Sequence, residues 1–281
     1  MFSLLRDWQA EPTEPEPLVI ETSGSTGAPK RVVLSRAAMR ASAAATKARL
    51  GGPGQWLLNL PATYVAGVQV LFRSAVAGTT PVFLDEHAGF VAAAEAMDAD
   101  RRYVSLVPTQ LTRMLASPTE VAALRWFDTV LVGGAAVESS LRRRAAEAGV
   151  RVVATYGMSE TCGGCVYDGV PLDGVGVTLG AEGRVRIAGP TLFSHYHDDP
   201  ELTAASVVDG WFLTSDAGRF DEDGRLRITG RIDDVVISGG VKIPLATVAA
   251  RLRAHLLVQE AEVFGVPDPE WGQRLVAVLV G

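Results

Sequence analysis

A largely parallel α/β fold is predicted by three features of the sequence. From Val19 to about Gly157, short apolar runs alternate with alanine-rich helical stretches, the pattern of a sheet flanked by helices. After Gly174 the runs shorten and surround an Asp-Gly turn, which predicts a smaller β-rich lobe over about 175–229. Residues 235–281 then mix one helix with several strands, the opening of a small α+β domain that looks partial.

Taken in order, Met1–Pro17 carries the run Glu11-Pro12-Thr13-Glu14-Pro15-Glu16-Pro17. Proline and charge make it an extended lead-in rather than a packed element. Leu18-Val19-Ile20 and Val32-Val33-Leu34 read as strands on either side of a polar loop. Trp56–Leu60, Pro81–Leu84, Tyr103–Val107, Thr129–Val132 and Val152–Thr155 are the following strands. Between them Arg36–Leu50, Val65–Ala77, Phe90–Met97, Pro108–Leu115 and Glu138–Ala148 read as helices. Ser35 can cap the first, and Pro108 can open the fourth. Gly183–Ala188, Phe212–Thr214, Gly218–Phe220 and Leu226–Thr229 are lobe strands, the last two joined through Asp221-Glu222-Asp223-Gly224. Val235–Ile237 is a strand, Pro244–His255 a helix with Leu245, Val248, Ala249 and Leu252 on one face, and Glu262–Val266 and Leu275–Val280 further strands.

Composition bounds the function. The 281 residues are 48% hydrophobic and 21% charged, with a net charge of −6, which describes an ordinary globular protein of one large domain, or a large and a small one. Acid and base are interspersed without a basic patch, so nucleic acid is not an expected partner. The longest apolar run, Leu275–Val280, is too short to span a bilayer, and the N-terminus lacks a secretory pattern, so no membrane partner and a cytoplasmic location are expected. The two cysteines, Cys162 and Cys165, have C-x-x-C spacing. No second pair completes a thiolate metal site, and two small residues lining a pocket is the preferred reading.

The loop Thr22-Ser23-Gly24-Ser25-Thr26-Gly27-Ala28-Pro29-Lys30 is the most informative segment. Its hydroxyls, backbone N–H groups and ammonium can surround a polyphosphate, and its glycines let the backbone approach closely. It is not a Walker A loop, because Pro29 stands where that motif needs glycine. A solvated hairpin turn with a chance lysine is the plainer alternative. His195-Tyr196-His197-Asp198-Asp199 invites a metal reading but fits better as a turn.

Three further blocks follow in order: Tyr156-Gly157-Met158-Ser159-Glu160-Thr161, Gly210-Trp211-Phe212-Leu213-Thr214-Ser215-Asp216 and Gly230-Arg231-Ile232-Asp233-Asp234. With the Thr22–Lys30 loop they resemble the adenylate-forming superfamily, which includes acyl-CoA synthetases, luciferases and peptide-synthetase adenylation domains. The resemblance runs from about Val19 to the last residue. It implies an enzyme that activates a carboxylic acid with ATP and passes the acyl group to the thiol of CoA, with Mg2+ as the metal. It divides the chain into an AMP-binding domain (1–229), a hinge (230–234) and a partial C-terminal domain (235–281).

The resemblance also implies roles. The Thr22–Lys30 loop would hold the β- and γ-phosphates. Gly133-Gly134-Ala135 would face the adenine, with Tyr156 stacked on it and Gly157, Met158 and Ser159 beside the nucleotide. Glu160 would hold Mg2+, Asp216 the ribose hydroxyls, and Arg231 the nucleotide; Lys30, Glu160 and Arg231 are the catalytic candidates. Asp233 would be the hinge residue, and Ser238-Gly239-Gly240 would approach the pantetheine arm. A surface carboxylate, a structural salt bridge and a turn aspartate are the plainer readings of Glu160, Arg231 and Asp233.

Leu60–Arg73 together with Ser105–Leu111 looks most like o-succinylbenzoate–CoA ligases of menaquinone biosynthesis, and Gly157–Thr161 followed by Gly163–Gly169 looks similar to the compact actinobacterial type. That substrate carries an aromatic ring, a keto group and a second carboxylate that does not react. Tyr64, Gln69 and Arg73 would line the acyl pocket. Gln69 and Arg73 are four apart, hence on one helix face, and Arg73 is the candidate partner of the spectator carboxylate, with an ordinary surface arginine as the alternative. The family's C-terminal Pro-x-x-x-x-Gly-Lys block does not occur in the sequence, which leads to an expectation of slow adenylate formation. A ligase for another aryl or medium-chain acid, and a non-catalytic nucleotide-binding relative, are the alternatives. The oligomeric state stays open, a homodimer among the options.

Overall fold

The computed structural model describes residues 1–22, 29–258 and 260–281 and has the α/β class that the sequence predicts. Two compact units emerge: Met1–Gly176 with Ala188–Gly210, and Val177–Ile187 with Trp211–Gly281.

Among the described residues of the first unit, a seven-stranded sheet runs in the order Val82–Phe83, Gln55–Leu58, Arg102–Leu106, Thr129–Val132, Val152–Met158, Gly163–Tyr167, Val170–Pro171. Its first five strands are parallel and its last two antiparallel. The central strands are mostly apolar, as strands packed beneath helices are. Leu57, Val104, Leu106, Phe127, Val130 and Val132 lie in the core between sheet and helices. Arg36–Arg49, Val65–Ala77, Phe90–Glu95, Pro108–Met114 and Ser139–Glu147 are the helices that periodicity predicts, each ending within two residues of its expected bound. Ser35 caps the first by accepting from the Ala38 N–H at 3.1 Å.

Four elements depart from the sequence reading. Phe2–Ala10, expected as part of an extended lead-in, is a helix that packs on Val65–Ala77. Leu5 and Trp8 lie three apart on one face. Leu5 is 3% exposed, and the Trp8 ring meets Phe72 edge-on at 5.8 Å. The proline-rich stretch behind it is also tied down, because Arg36 donates to the Glu11 carbonyl at 2.6 Å and pairs with Glu14 at 3.1 Å. Pro118–Leu124 and Pro200–Ser206 are further short helices, each opened by proline and capped by Ser117 or Asp199. His195–Tyr196, expected in a turn, is a short strand on the hairpin formed by Leu18–Thr22 and Lys30–Leu34.

Gly176–Leu179, Arg184–Ala188, Trp211–Phe220 and Leu226–Arg231, nearly all of them residues of the second unit, pair in one sheet. The Asp221–Gly224 turn joins the last two, with the Asp221 carboxylate accepting from the Asp223 and Arg225 N–H groups. A second sheet has the order Val241–Pro244, Val235–Ser238, Gly272–Val280, Glu260–Asp268. Helix Leu245–Arg253 lies over it and buries Leu245 and Ala249 against Val236 and Val263.

Candidate functional site

A cavity of about 440 Å3 opens in the first unit at the C-terminal ends of the parallel strands. Open α/β sheets place ligands there because the strand ends and their loops leave a crevice. Helix Val65–Ala77 supplies one wall through Val65, Gln69 and Arg73, with Tyr64 at its N-terminus. Ser105, Leu106, Leu131, Thr155 and Gly157 line the strand side, and Gly163, Gly164 and Tyr167 close it.

The three residues expected in an acyl pocket all line this cavity. Tyr64 is 55% exposed, Gln69 1% and Arg73 7%. The Gln69 amide donates to the Cys162 carbonyl at 2.8 Å, while its oxygen, buried, has no partner. The Arg73 guanidinium lies 5.2 Å from the centre of the Trp56 ring, its Nε has no hydrogen-bond partner, and among the described residues no carboxylate pairs with it. A buried cation and a buried amide oxygen left unmatched on one apolar wall are costly unless a ligand or water completes them.

Gly133 and Gly134 line the cavity, and Ala135 is exposed beyond it. A Cβ on Gly133 would stand 2.4 Å from the Thr155 hydroxyl, and one on Gly157 would stand 2.1 Å from the Gly163 carbonyl oxygen. Glycine is therefore dictated by close approach at both positions. Thr155 and Gly157 face the cavity; Tyr156 between them is half-buried, pairs with Val166 and is not part of the lining. Met158 donates its N–H to the Thr161 hydroxyl at 2.9 Å, which shapes the short turn Ser159–Thr161.

Ser159 and Glu160 on that turn are each 8% exposed. One Glu160 carboxylate oxygen accepts from the Tyr196 hydroxyl at 2.7 Å, and the Glu160 carbonyl accepts from the Phe193 N–H at 2.8 Å. Burial, with the Glu160 carboxylate beside it, pushes the Tyr196 phenol well above its ordinary value. Lys30 sits with its ammonium 5.5 Å from the centre of the same ring. Thr22 and Lys30 face each other across the hairpin, and the Thr22 hydroxyl donates to the Lys30 carbonyl at 3.4 Å. Ser23, Gly24, Ser25, Thr26 and Gly27 lie outside the described residues. The structure thus brings Lys30 and Glu160 to one aromatic side chain that sequence reasoning missed.

The donor set around Glu160 suits Mg2+. No group of three or more His, Cys, Asp or Glu residues that could cage a metal occurs among the described residues. Mg2+ commonly takes one or two carboxylates plus phosphate oxygens and keeps several waters. Glu160 offers that single carboxylate, with one oxygen engaged by Tyr196.

Cys162 and Cys165 are buried free thiols, each pushed up to about 12, chiefly by desolvation. They are thiols, not thiolates, at neutral pH. His197 Nδ1 lies 2.6 Å from the Arg31 guanidinium and 2.7 Å from the Asp198 carboxylate.

In the second unit, Asp216 and Arg231 face each other in the strand register, and the Asp216 N–H donates to the Thr214 hydroxyl at 3.1 Å. Arg231 binds Asp233 through two contacts, 2.9 and 2.7 Å, and this pairing holds the Asp233 carboxyl below its usual range. Ser238 ends its strand, and Gly239-Gly240 form the two-residue turn to Val241 with φ of +57° and +81°. Two successive positive φ values are those of a type I′ hairpin, which favours glycine.

Comparisons with known proteins extend this picture. A family model described as AMP-binding enzyme matches residues 7–191. A probable 2-succinylbenzoate–CoA ligase from Mycobacterium tuberculosis (strain CDC 1551 / Oshkosh) is 45% identical over 270 residues, covering 94% of this chain and 70% of that protein. The o-succinylbenzoate CoA synthetase from Bacillus subtilis, solved in complex with the acyl-adenylate intermediate OSB-AMP, superimposes with a TM-score of 0.80 at 28% identity, covering 95% of this chain and 60% of that one. The same enzyme in complex with ATP and magnesium ion gives a TM-score of 0.78 at 27% identity, covering 95% of this chain and 61% of that one. The chain therefore spans about three fifths of the solved relatives.

Proposed function

Because this chain belongs to the AMP-binding enzyme family, we propose that it serves an acid–CoA ligase that converts o-succinylbenzoate to o-succinylbenzoyl-CoA through an acyl-adenylate. ATP and CoA are the co-substrates and Mg2+ the metal. A carboxylate resists attack because its oxygen is a poor leaving group. Its oxygen attacks the α-phosphorus of ATP, the bond to pyrophosphate breaks, and the product is an acyl group bearing AMP as a good leaving group. The CoA thiol, losing its proton, then attacks the acyl carbon and AMP departs.

The chain's residues support parts of this sequence. Lys30 carries the positive charge that the departing pyrophosphate needs, at the foot of a hydroxyl-rich loop. Glu160 would hold Mg2+, which supplies charge neutralisation across the phosphate oxygens. Gly133 and Gly157 keep the strand ends bare so that a flat group can lie against backbone. Asp216 is the proposed ribose contact and Arg231 a further contact to the nucleotide, Asp233 the hinge, and Ser238-Gly239-Gly240 the path for the pantetheine arm.

The observation that carries the choice of acid is Arg73. A cation 7% exposed, without a carboxylate partner among the described residues, lines an apolar cavity of about 440 Å3. A substrate with a ring and a second, unreactive carboxylate fits both properties. Arg73→Leu should raise the KM for o-succinylbenzoate by about 10–100-fold, the worth of one charged hydrogen bond, and leave the KM of benzoates with one carboxylate unchanged. Product formation from o-succinylbenzoate, ATP, Mg2+ and CoA is the direct assay. Equal KM values in wild type and variant would remove Arg73 from substrate recognition.

A further inference from the structure

Tyr196 stands between the two charged groups that the proposed reaction needs, and the chain holds it there from three directions. His195–Tyr196 pairs antiparallel with Lys30–Leu34, Tyr196 opposite Val32 and His195 opposite Val33, so a backbone ladder sets the ring beside the strand that starts with Lys30. The Tyr196 N–H donates to the Thr203 hydroxyl at 2.9 Å. The Phe193 ring packs on it at 4.8 Å, and Tyr196 is 3% exposed. A side chain so enclosed keeps one rotamer.

From this seat it touches both partners. Its hydroxyl donates to Glu160 at 2.7 Å, and its ring face carries the Lys30 ammonium at 5.5 Å from the centre. An ammonium and a buried carboxylate that share one neighbouring side chain attract each other and, brought into contact, would be neutralised in an ion pair. No such pair joins Lys30 to Glu160 among the described residues. The ring offers the cation an attractive face, and the hydroxyl occupies one carboxylate oxygen while leaving the other.

We infer that Tyr196 is a positioning residue: its ring keeps Lys30 apart from Glu160, and its hydroxyl aims the Glu160 carboxylate, so that both charges stay available to a metal–triphosphate ligand. The inference rests on the ligase reading above and adds to it a residue that the ordered motifs do not include.

The test is ATP binding by titration calorimetry, with Mg2+ and with EDTA, on the full chain. Tyr196→Phe keeps the ring and loses the hydroxyl. It should weaken ATP binding about tenfold in Mg2+ and leave binding in EDTA unchanged, the loss expected for one charge-assisted hydrogen bond. Tyr196→Leu loses both and should weaken binding under both conditions. In a Glu160→Gln background, Tyr196→Phe should cost nothing further, because the hydroxyl acts through that carboxylate. Melting curves of each variant separate loss of fold from loss of binding. Wild-type Mg2+ dependence retained by a folded Tyr196→Phe variant overturns the inference alone, as does an additive loss in the double variant. Wild-type protein that binds no ATP overturns the ligase reading and the inference with it.

Discussion

Gly157 illustrates how a single residue can be fixed by distance rather than by chemistry. The antiparallel turn-back from Val152–Met158 into Gly163–Tyr167 brings the Gly163 carbonyl to where a Cβ would stand, 2.1 Å away. A backbone oxygen cannot swing aside as a flexible side chain can. Gly157→Ala should therefore destabilise the chain by about 1–3 kcal/mol or more, the range for overpacking, and shift the urea midpoint accordingly. An unchanged midpoint would mean that the two strands can part without cost. Arg73 is the opposite case, a residue whose proposed role rests on a charge unmatched among the described residues. Its prediction, a KM effect confined to acids with a second carboxylate, is chemical rather than steric.

At the scale of elements, Phe2–Ala10 shows how a short amphipathic helix completes a wall. It lays Leu5 and Trp8 against Val65–Ala77, the helix whose other residues Gln69 and Arg73 line the cavity. Leu5→Ala should cost about 2–3 kcal/mol, the lower part of the range for buried leucine, read as a lowered urea midpoint. A loss below about 0.5 kcal/mol, the ordinary scatter of surface substitutions, would place this helix outside the cooperative fold. The prolines that follow do not free it, because Arg36 grips the carbonyl of Glu11 and the carboxylate of Glu14.

For the whole molecule, the two buried thiols predict an alkaline limit to stability. Desolvation raises Cys162 and Cys165 to about 12, whereas an unfolded thiol ionises near ~8.5. Below about 8.5 both states hold their protons and nothing is lost. Above it the unfolded chain releases protons that the folded chain keeps, so stability falls as pH rises, by on the order of 1 kcal/mol per pH unit for each thiol. Urea midpoints at pH 7.5 and pH 10 measure the effect, and replacing both cysteines with alanine should flatten the slope. A midpoint equally pH-dependent without the thiols would assign the alkaline limit to other groups. No described helix is long and apolar enough to cross a membrane.

The α/β class and most helices and strands of the first unit were legible because a buried parallel strand must be apolar throughout and a covering helix must repeat its apolar residues every three or four positions. Ser35, Pro108 and the Asp-Gly turn were legible for the same local reason. Short elements were not: two residues of strand at His195–Tyr196, or one face of a nine-residue helix, carry too few positions to establish a period. The sequence by itself determined the order of the chemical blocks, since hydroxyls, glycines and charges must stand at fixed spacings along the chain to do their chemistry. Only the tertiary structure decided which distant residues meet. The Tyr196 hydroxyl reaches Glu160 across 36 positions, and its ring meets Lys30 from a neighbouring strand. The Arg73 guanidinium meets the Trp56 ring and, among the described residues, no counter-charge. Periodicity reports one element's own faces, whereas such pairings arise from strand register and packing between elements far apart in the chain.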